Sequence, residues 1–376
     1  MTTARLADLP PHDHAGRRDR LRAELADERG GHALVTDPRN VRYLTGFTGS
    51  NGQLLLGPDE ATTVLITDQR YDGRAASESG DLARVLDRDP VGVALARLTA
   101  VHTDQPRLIV EADHLTWAAA RDLQARADVA GVGVVAATEL LASLRVVKDD
   151  AEVARLEAAC RITTEGLAWL LEEVVAPGRT EREVALALEQ RFRQLGADGA
   201  AFPSIVAAGR NGAIPHHEPT DTPLEPGDLL TIDCGALVDG YHADHTRTVA
   251  IGRSPDPELV HVHEVVQAAQ AAGRRMVQAG VRAAAVDGAT RSVIAEAGYG
   301  DRFVHGTGHG VGLQIHEAPA VAKGSAATLA VGNVLTVEPG IYLPGRGGVR
   351  IEDTVVVTAE PPARVLTDTP RELRIL

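Results

Sequence analysis

The chain has only two cysteines, Cys160 and Cys234, in 376 residues. That leaves almost no material for a disulfide framework or a cysteine-based zinc site, and it reads as a reducing compartment. Aromatic residues make up 3% of the chain, too few for the stacking platforms of a single-strand nucleic-acid binder. Basic residues are also scarce: 38 lysines and arginines face 52 aspartates and glutamates, a net charge of −14. A surface of that sign repels nucleic acid and anionic membrane. No apolar run is long enough to span a bilayer, and the first twenty-five residues hold no apolar stretch of signal-peptide length. The deficits point to a soluble, acidic, cytoplasmic enzyme or binding protein.

What is present is ordinary globular material, 44% hydrophobic and 24% charged, and at roughly 150 residues per domain the length predicts two to three units. Residues 17–29 have helical spacing and lead into short apolar runs bounded by turn residues, HALVTD, QLLLGPDE and TTVLITD. PRLIVEAD predicts another strand, LTWAAARDLQARA a helix and VGVVAAT a further buried strand. Residues 1–146 thus read as a compact α/β domain. At SLRVVKDD apolar patterning gives way to charge, which places the boundary at about residue 146 and assigns 147–376 to a second, α+β domain. There Asp149 or Asp150 caps a long helix, and after the Pro177–Arg179 turn a second helix starts with Thr180 as cap and Glu183 in capping-box position. From Phe202 the chain turns strand-like and rich in Gly, His and Asp.

The second domain repeats itself. LEPGDLLTIDCG (224–235) aligns without gaps on LAVGNVLTVEPG (329–340), with five of twelve positions identical and Asp233 opposite Glu338. Downstream, Asp244 in ADHTRTV falls opposite Glu352 in IEDTVVV. Helix, carboxylate strand and second carboxylate strand therefore occur twice, and packing about a pseudo-two-fold would bring four carboxylates to one central place.

A turn at Val238–Gly240 would put Asp233 and Asp244 on adjacent strands. Ile232 and Cys234 make the surroundings of Asp233 apolar, so a cation must compensate it, whether a metal or a salt bridge to Arg247 or Arg350. HGTGHGVGLQIHE (305–317) then places His305, His309 and His316 among four glycines. The glycines allow close backbone approach, and imidazole supplies a metal ligand or a proton-transferring group. Glu338 ends one apolar strand, and Glu352 is expected inside another. Asp233, Asp244, His309, Glu338 and Glu352 form a plausible ligand set for two divalent cations. Oxygen-rich ligation with one imidazole suits Mn²⁺ better than structural zinc, with Co²⁺ and Zn²⁺ as alternatives. Such a metal pair serves hydrolysis.

The ordered set IDCG, YHADHTRTV, HGTGHGVGLQIHE, VEPGIY and GGVRIED resembles the pita-bread metallopeptidases, the family of methionine aminopeptidase, aminopeptidase P, prolidase and the metal-free creatinases. NVRYLTGFTGSNGQLLL and LITDQRY are similar to the creatinase-type N-terminal domain shared by aminopeptidase P and prolidase. The resemblance implies Asp233 as a ligand of one metal, His309 and Glu338 as ligands of the other, and Asp244 and Glu352 as bridges. Glu338 would also be the general base. His216, chosen over His217 by its seventeen-residue spacing to Asp233, would support substrate and transition state. His305 and His316 would contact the scissile carbonyl and the proline side, and Arg350 would support the ligands. Asp68, Arg70 and Tyr71 match a motif that approaches a neighbouring subunit's active site, or they form a structural turn. The implied activity is an Xaa-Pro aminopeptidase acting on peptides with proline at the second position, as a cytoplasmic homodimer. A prolidase-type dipeptidase is the close second reading. A non-peptide amidohydrolase and a non-catalytic binding protein on the same fold are the remaining alternatives.

Overall fold

The structure, a computed structural model, describes residues 9–26, 31–100 and 105–376. Pro11–Arg145 forms one compact unit. Its strands are β1 (His32–Val35), β2 (Gly52–Leu56), β3 (Val64–Thr67), β4 (Ala83–Leu86), β5 (Arg107–Glu111) and β6 (Gly133–Ala137). They form one mixed sheet in the order β4-β3-β2-β1-β5-β6. Helices α1 (His14–Leu25), α2 (Pro38–Thr45), α3 (Asp72–Glu78), α4 (Pro90–Ala100), α5 (Trp117–Ala130) and α6 (Ala142–Val146) alternate with the strands. The expected helix over 17–29 is α1, and its last expected residues lie outside the described ones. Local signals set the ends: Asp37 caps α2 with Pro38 in its first turn, and Gly46 closes it at φ 77°.

The central strands β1 and β3 are buried throughout, and Leu34, Leu55, Ile66 and Leu108 meet in the core over which α4 and α5 pack. The run VGVVAAT is a strand, but not a buried one. β6 lies at the sheet edge and alternates between half-buried and exposed residues. Apolar composition there reflects pairing on one side only. The opposite edge is β4, mostly exposed, which carries no apolar alternation by which to read it.

Val146–Leu376 forms the second unit, joined by Leu9 and Pro10. Its first half opens with α7 (Asp150–Glu173) and α8 (Glu181–Gln194), each started by a complete capping box, Asp149 with Glu152 and Thr180 with Glu183. Then follow β7 (Gly199–Ala200), β8 (Ile205–Ala208), β9 (Leu229–Cys234), β10 (Ala236–Val238), β11 (Tyr241–His242) and β12 (His245–Ala250). The second half opens with α9 (Pro257–Met276) and α10 (Ala283–Glu296), followed by β13 (Gly308–Gly310), β14 (Glu317–Val321), β15 (Val334–Val337), β16 (Gly340–Leu343), β17 (Gly347–Arg350), β18 (Asp353–Val356) and β19 (Arg364–Val365).

The two halves repeat one plan. β9 pairs antiparallel with β12 and β8, and β15 pairs antiparallel with β18 and β13. The turn between β10 and β11 is Asp239–Gly240, both at positive φ (48° and 78°), as a tight hairpin of right-handed twist requires. Asp244 and Glu352 do not lie inside strands. Each occupies the residue just before one, Asp244 ahead of β12 and Glu352 ahead of β18, and the Glu352 N–H donates across to the Thr246 carbonyl of the other half at 3.1 Å. The halves are joined there reciprocally. Thr246 Oγ1 donates to Glu352 Oε2 at 2.7 Å, and Thr354 Oγ1, its counterpart in the repeat, donates to the Asp244 carbonyl at 2.8 Å. Among the described residues no helix is long and apolar enough to cross a membrane.

Candidate metal centre and active site

Where the two halves meet, a cavity of about 360 Å³ is lined by Asp233, Asp244, His309, Glu338, His216, His305, His316, Tyr342 and Arg350. Glu352 lies beneath it, 1% exposed. One donor atom each from Asp244, His309 and Glu352 falls within 4.8 Å of the others. His309 Nε2 lies 3.5 Å from Asp244 Oδ2 and 3.4 Å from Glu338 Oε1. All five acidic or imidazole residues of the predicted ligand set are thus drawn together, from segments as far apart as Asp233 and Glu352.

The chemistry of this donor set fits divalent cations. Asp233 Oδ1 and Glu352 Oε1 are buried without a hydrogen-bond partner, a costly state for a carboxylate oxygen unless an ion completes it. Burial, followed by the negative charges of the neighbouring carboxylates, pushes Asp244 and Glu352 well above the usual carboxylate range. Carboxylates so crowded call for positive charge. His309 Nδ1 sits 3.1 Å from the Gly310 carbonyl; donation of its N–H there leaves the Nε2 lone pair facing the acids, the tautomer a metal ligand needs.

Burial disfavours the charged form of His309, but its contacts with Glu338 outweigh this and hold its pKa above the ordinary histidine value. Burial likewise works against ionised Glu338, and His309, His305 and Arg350 together still bring its carboxyl below the usual range. Glu338 is therefore a carboxylate, able to take a proton. His316 is driven below the ordinary value by burial and then by the neighbouring charge of His309; the two rings stand edge-to-face with centroids 4.3 Å apart. His316 is neutral near pH 7 and can donate one N–H.

His305, for which the resemblance implied a substrate contact, lines the cavity. Both its nitrogens are engaged: Nδ1 lies 2.8 Å from the Gly306 carbonyl, and Nε2 lies 2.7 Å from the Tyr342 hydroxyl. It is thereby tied to Tyr342. Arg350 Nη1 donates to the Tyr342 oxygen at 3.0 Å, and its Nη2 donates to Asp233 Oδ2 at 2.7 Å. Tyr342 was not singled out in the sequence, although VEPGIY contains it; the signal would have been a hydroxyl on an otherwise apolar buried strand. Arg247, the other expected partner for Asp233, pairs instead with Asp353 at 2.8 Å and donates to the Glu352 carbonyl at 2.6 Å. Of the adjacent histidines, His216 lines the cavity, whereas His217 bonds Glu181 at 2.8 Å. Asp68 caps the turn at Gln69–Tyr71 and pairs with Arg70 at 2.7 Å within the N-terminal unit.

Buried carboxylates with orphaned oxygens, a preset imidazole and a neutral histidine at one cavity define a metal-dependent hydrolase site. Residues 154–359 match metallopeptidase family M24, and residues 17–147 match the creatinase/prolidase N-terminal domain. The chain belongs to the M24 metallopeptidases and has their pita-bread catalytic fold. The Xaa-Pro dipeptidase of Pyrococcus horikoshii is 33% identical over 90% of this chain and 93% of its own. The structure of an Xaa-Pro dipeptidase from Bacillus anthracis aligns with TM-score 0.90 at 35% identity, covering 97% of this chain and 100% of that one. An X-Pro aminopeptidase from Thermotoga maritima aligns with TM-score 0.87 at 32% identity, covering 96% and 99%.

Proposed function

We propose that the protein is a binuclear, manganese-preferring peptidase of the cytoplasm that hydrolyses the Xaa-Pro bond of dipeptides, with removal of the first residue from longer Xaa-Pro peptides as its weaker activity. The observation that carries this reading is the convergence of three buried carboxylates, the half-buried Glu338 and His309 at a cavity of about 360 Å³, at the small end of the range for ligand sites. The sequence alone placed the aminopeptidase first. The order reverses because the cavity is small and because two close relatives bear the name Xaa-Pro dipeptidase, although an X-Pro aminopeptidase shares the fold.

Asp233 would hold one ion, His309 and Glu338 the other, with Asp244 and Glu352 shared between them. When bound, the metals supply a water acidic enough to attack at neutral pH and an electrophile for the scissile carbonyl. The rest falls to the chain's own groups. Glu338 accepts the proton of the attacking water and returns it to the proline nitrogen, which as a tertiary amide has no hydrogen of its own. His316, neutral, aims its N–H at the carbonyl oxygen as charge develops there. His216 faces the same space. Arg350 and Tyr342 keep Asp233 and His305 in place. A homodimer is the expected assembly.

The test compares kcat/KM on Ala-Pro, Ala-Pro-Ala and tri-alanine with the fully metallated protein. Preference for the dipeptide by about tenfold or more is expected. Equal or better turnover of Ala-Pro-Ala restores the aminopeptidase reading, and efficient tri-alanine hydrolysis removes proline specificity. Failure to cleave any peptide would favour a non-peptide amide substrate or a binding role.

A further inference from the structure

We propose that Glu181 and His217 form a buried positioning pair that aims His216 into the active-site cavity. The inference rests on the role proposed above for His216. Glu181 is the first residue of α8 and is fully buried, whereas a first-turn glutamate ordinarily faces solvent. It is not needed there to start the helix, because Thr180 and Glu183 already complete the capping box.

Its carboxylate is instead saturated by one loop. Oε1 accepts from the Ala208 N–H at 2.8 Å and from Asn211 Nδ2 at 2.9 Å. Oε2 accepts from His217 Nε2 at 2.8 Å, from the Thr220 N–H at 3.0 Å and from Thr220 Oγ1 at 2.7 Å. Every donor lies between Ala208, the last residue of β8, and Thr220. That is the segment that carries Pro215 and His216 to the cavity. The backbone seals the same contact, with Glu181 N–H donating to the Thr222 carbonyl at 3.1 Å and Arg182 N–H to the Thr220 carbonyl at 3.0 Å. On the cavity side, Arg350 Nη1 reaches the Pro215 carbonyl at 3.4 Å. The loop is therefore gripped on both flanks of His216, by Arg350 from within the site and by Glu181 from behind it.

Ionised Glu181 offers only acceptors, so all five contacts are donated to it, three of them by the N–H groups of Ala208, Asn211 and Thr220, which cannot accept. Burial alone would favour its neutral form, but the donated hydrogen bonds prevail and hold its carboxyl below the usual range. Glutamine cannot substitute cleanly. In either orientation of its amide, one NH₂ group faces the N–H groups of Ala208 and Asn211 or those of His217 and Thr220, so part of the loop is released. A displacement of about 1 Å at His216 suffices to lower turnover strongly.

The experiment introduces Glu181→Gln into the wild-type protein and into a His216→Ala background, with kcat, KM, metal content and Tm measured on each. Glu181→Gln should lower kcat at least about tenfold in the wild type, with KM and two bound metals retained, and less than about twofold once His216 is gone. His217→Phe should repeat the loss, and His217→Gln, which restores an N–H donor, should recover most of it. These two variants carry the test should Glu181→Gln fold poorly. An equal loss in both backgrounds, or no loss in either, overturns the positioning role while leaving His216 intact as an active-site residue. Normal kcat for His216→Ala alone overturns the proposed role of His216 and the inference together.

Discussion

Arg350 places Nη2 2.7 Å from Asp233 Oδ2, while the second oxygen of Asp233 is buried with no partner at all. A salt bridge and an unpartnered oxygen thus coexist on one carboxylate. The arginine neutralises and orients one lobe, leaving the other free for the ion proposed above. Glu352 is divided in the same way: Thr246 donates to Oε2 at 2.7 Å, and Oε1 is bare.

Arg350→Lys is expected to separate charge from geometry. The guanidinium serves Asp233, Tyr342 and the Pro215 carbonyl from different nitrogens, which a single ammonium cannot reproduce. Turnover should fall by about tenfold or more, with weaker metal retention under dialysis. Wild-type kinetics in this variant would show the fork to be dispensable.

Asp244→Ala and Glu352→Ala should each lose both ions, because these residues are the proposed bridges and their removal leaves the remaining acids repelling one another. Elemental analysis of the purified variants checks this. Two metals retained in either variant would remove that residue from the bridging position.

His216→Ala and His316→Ala should bind metal almost normally yet lose about 10²-fold or more in kcat, since donors aimed at developing charge act mainly on the transition state. Glu338→Gln should abolish turnover and weaken one metal. Near-normal kcat in the histidine variants would assign those rings a packing role.

Asp244 and Glu352 are held above the usual carboxylate range, so in metal-free protein the folded state retains protons that the unfolded chain has lost. Above that range the stability they contribute falls as pH rises. A cation must displace those protons, so its affinity rises with pH. His305 and His316, lowered by burial, act in the opposite sense, losing stability only as pH falls below the ordinary histidine value. As pH rises above the usual carboxylate range and past the ordinary histidine value, the Tm of the metal-free protein should therefore decline, with His309, raised by its contacts with Glu338, acting in the same sense, and the rise on adding Mn²⁺ should grow. A rise independent of pH would contradict protonated carboxylates at the centre.

Much was legible in the chain because its causes are local. Capping boxes at Asp149 and Thr180 announce α7 and α8 within four residues. The apolar runs of the N-terminal unit predict its central strands, and the twelve-residue repeat around Asp233 and Glu338 predicts two carboxylate-bearing halves. Acids and histidines in apolar, glycine-rich strands announce themselves, since burial there is costly without a cation. The edge strand β4 reads poorly, because solvent on one side erases the pattern that burial imposes on composition, and β6 reads as a strand but not as an edge.

Tertiary structure decided which side chains face which. The positions of Asp244 and Glu352 just ahead of their strands, and the reciprocal threonine contacts between halves, join residues 106 and 110 positions apart. His305 gives its ring to Tyr342 across 37 residues, and Glu181 reaches His217 across 36. No local propensity encodes such pairings. They form only when two separately patterned halves close on each other and each buried polar atom must find its partner at that distance.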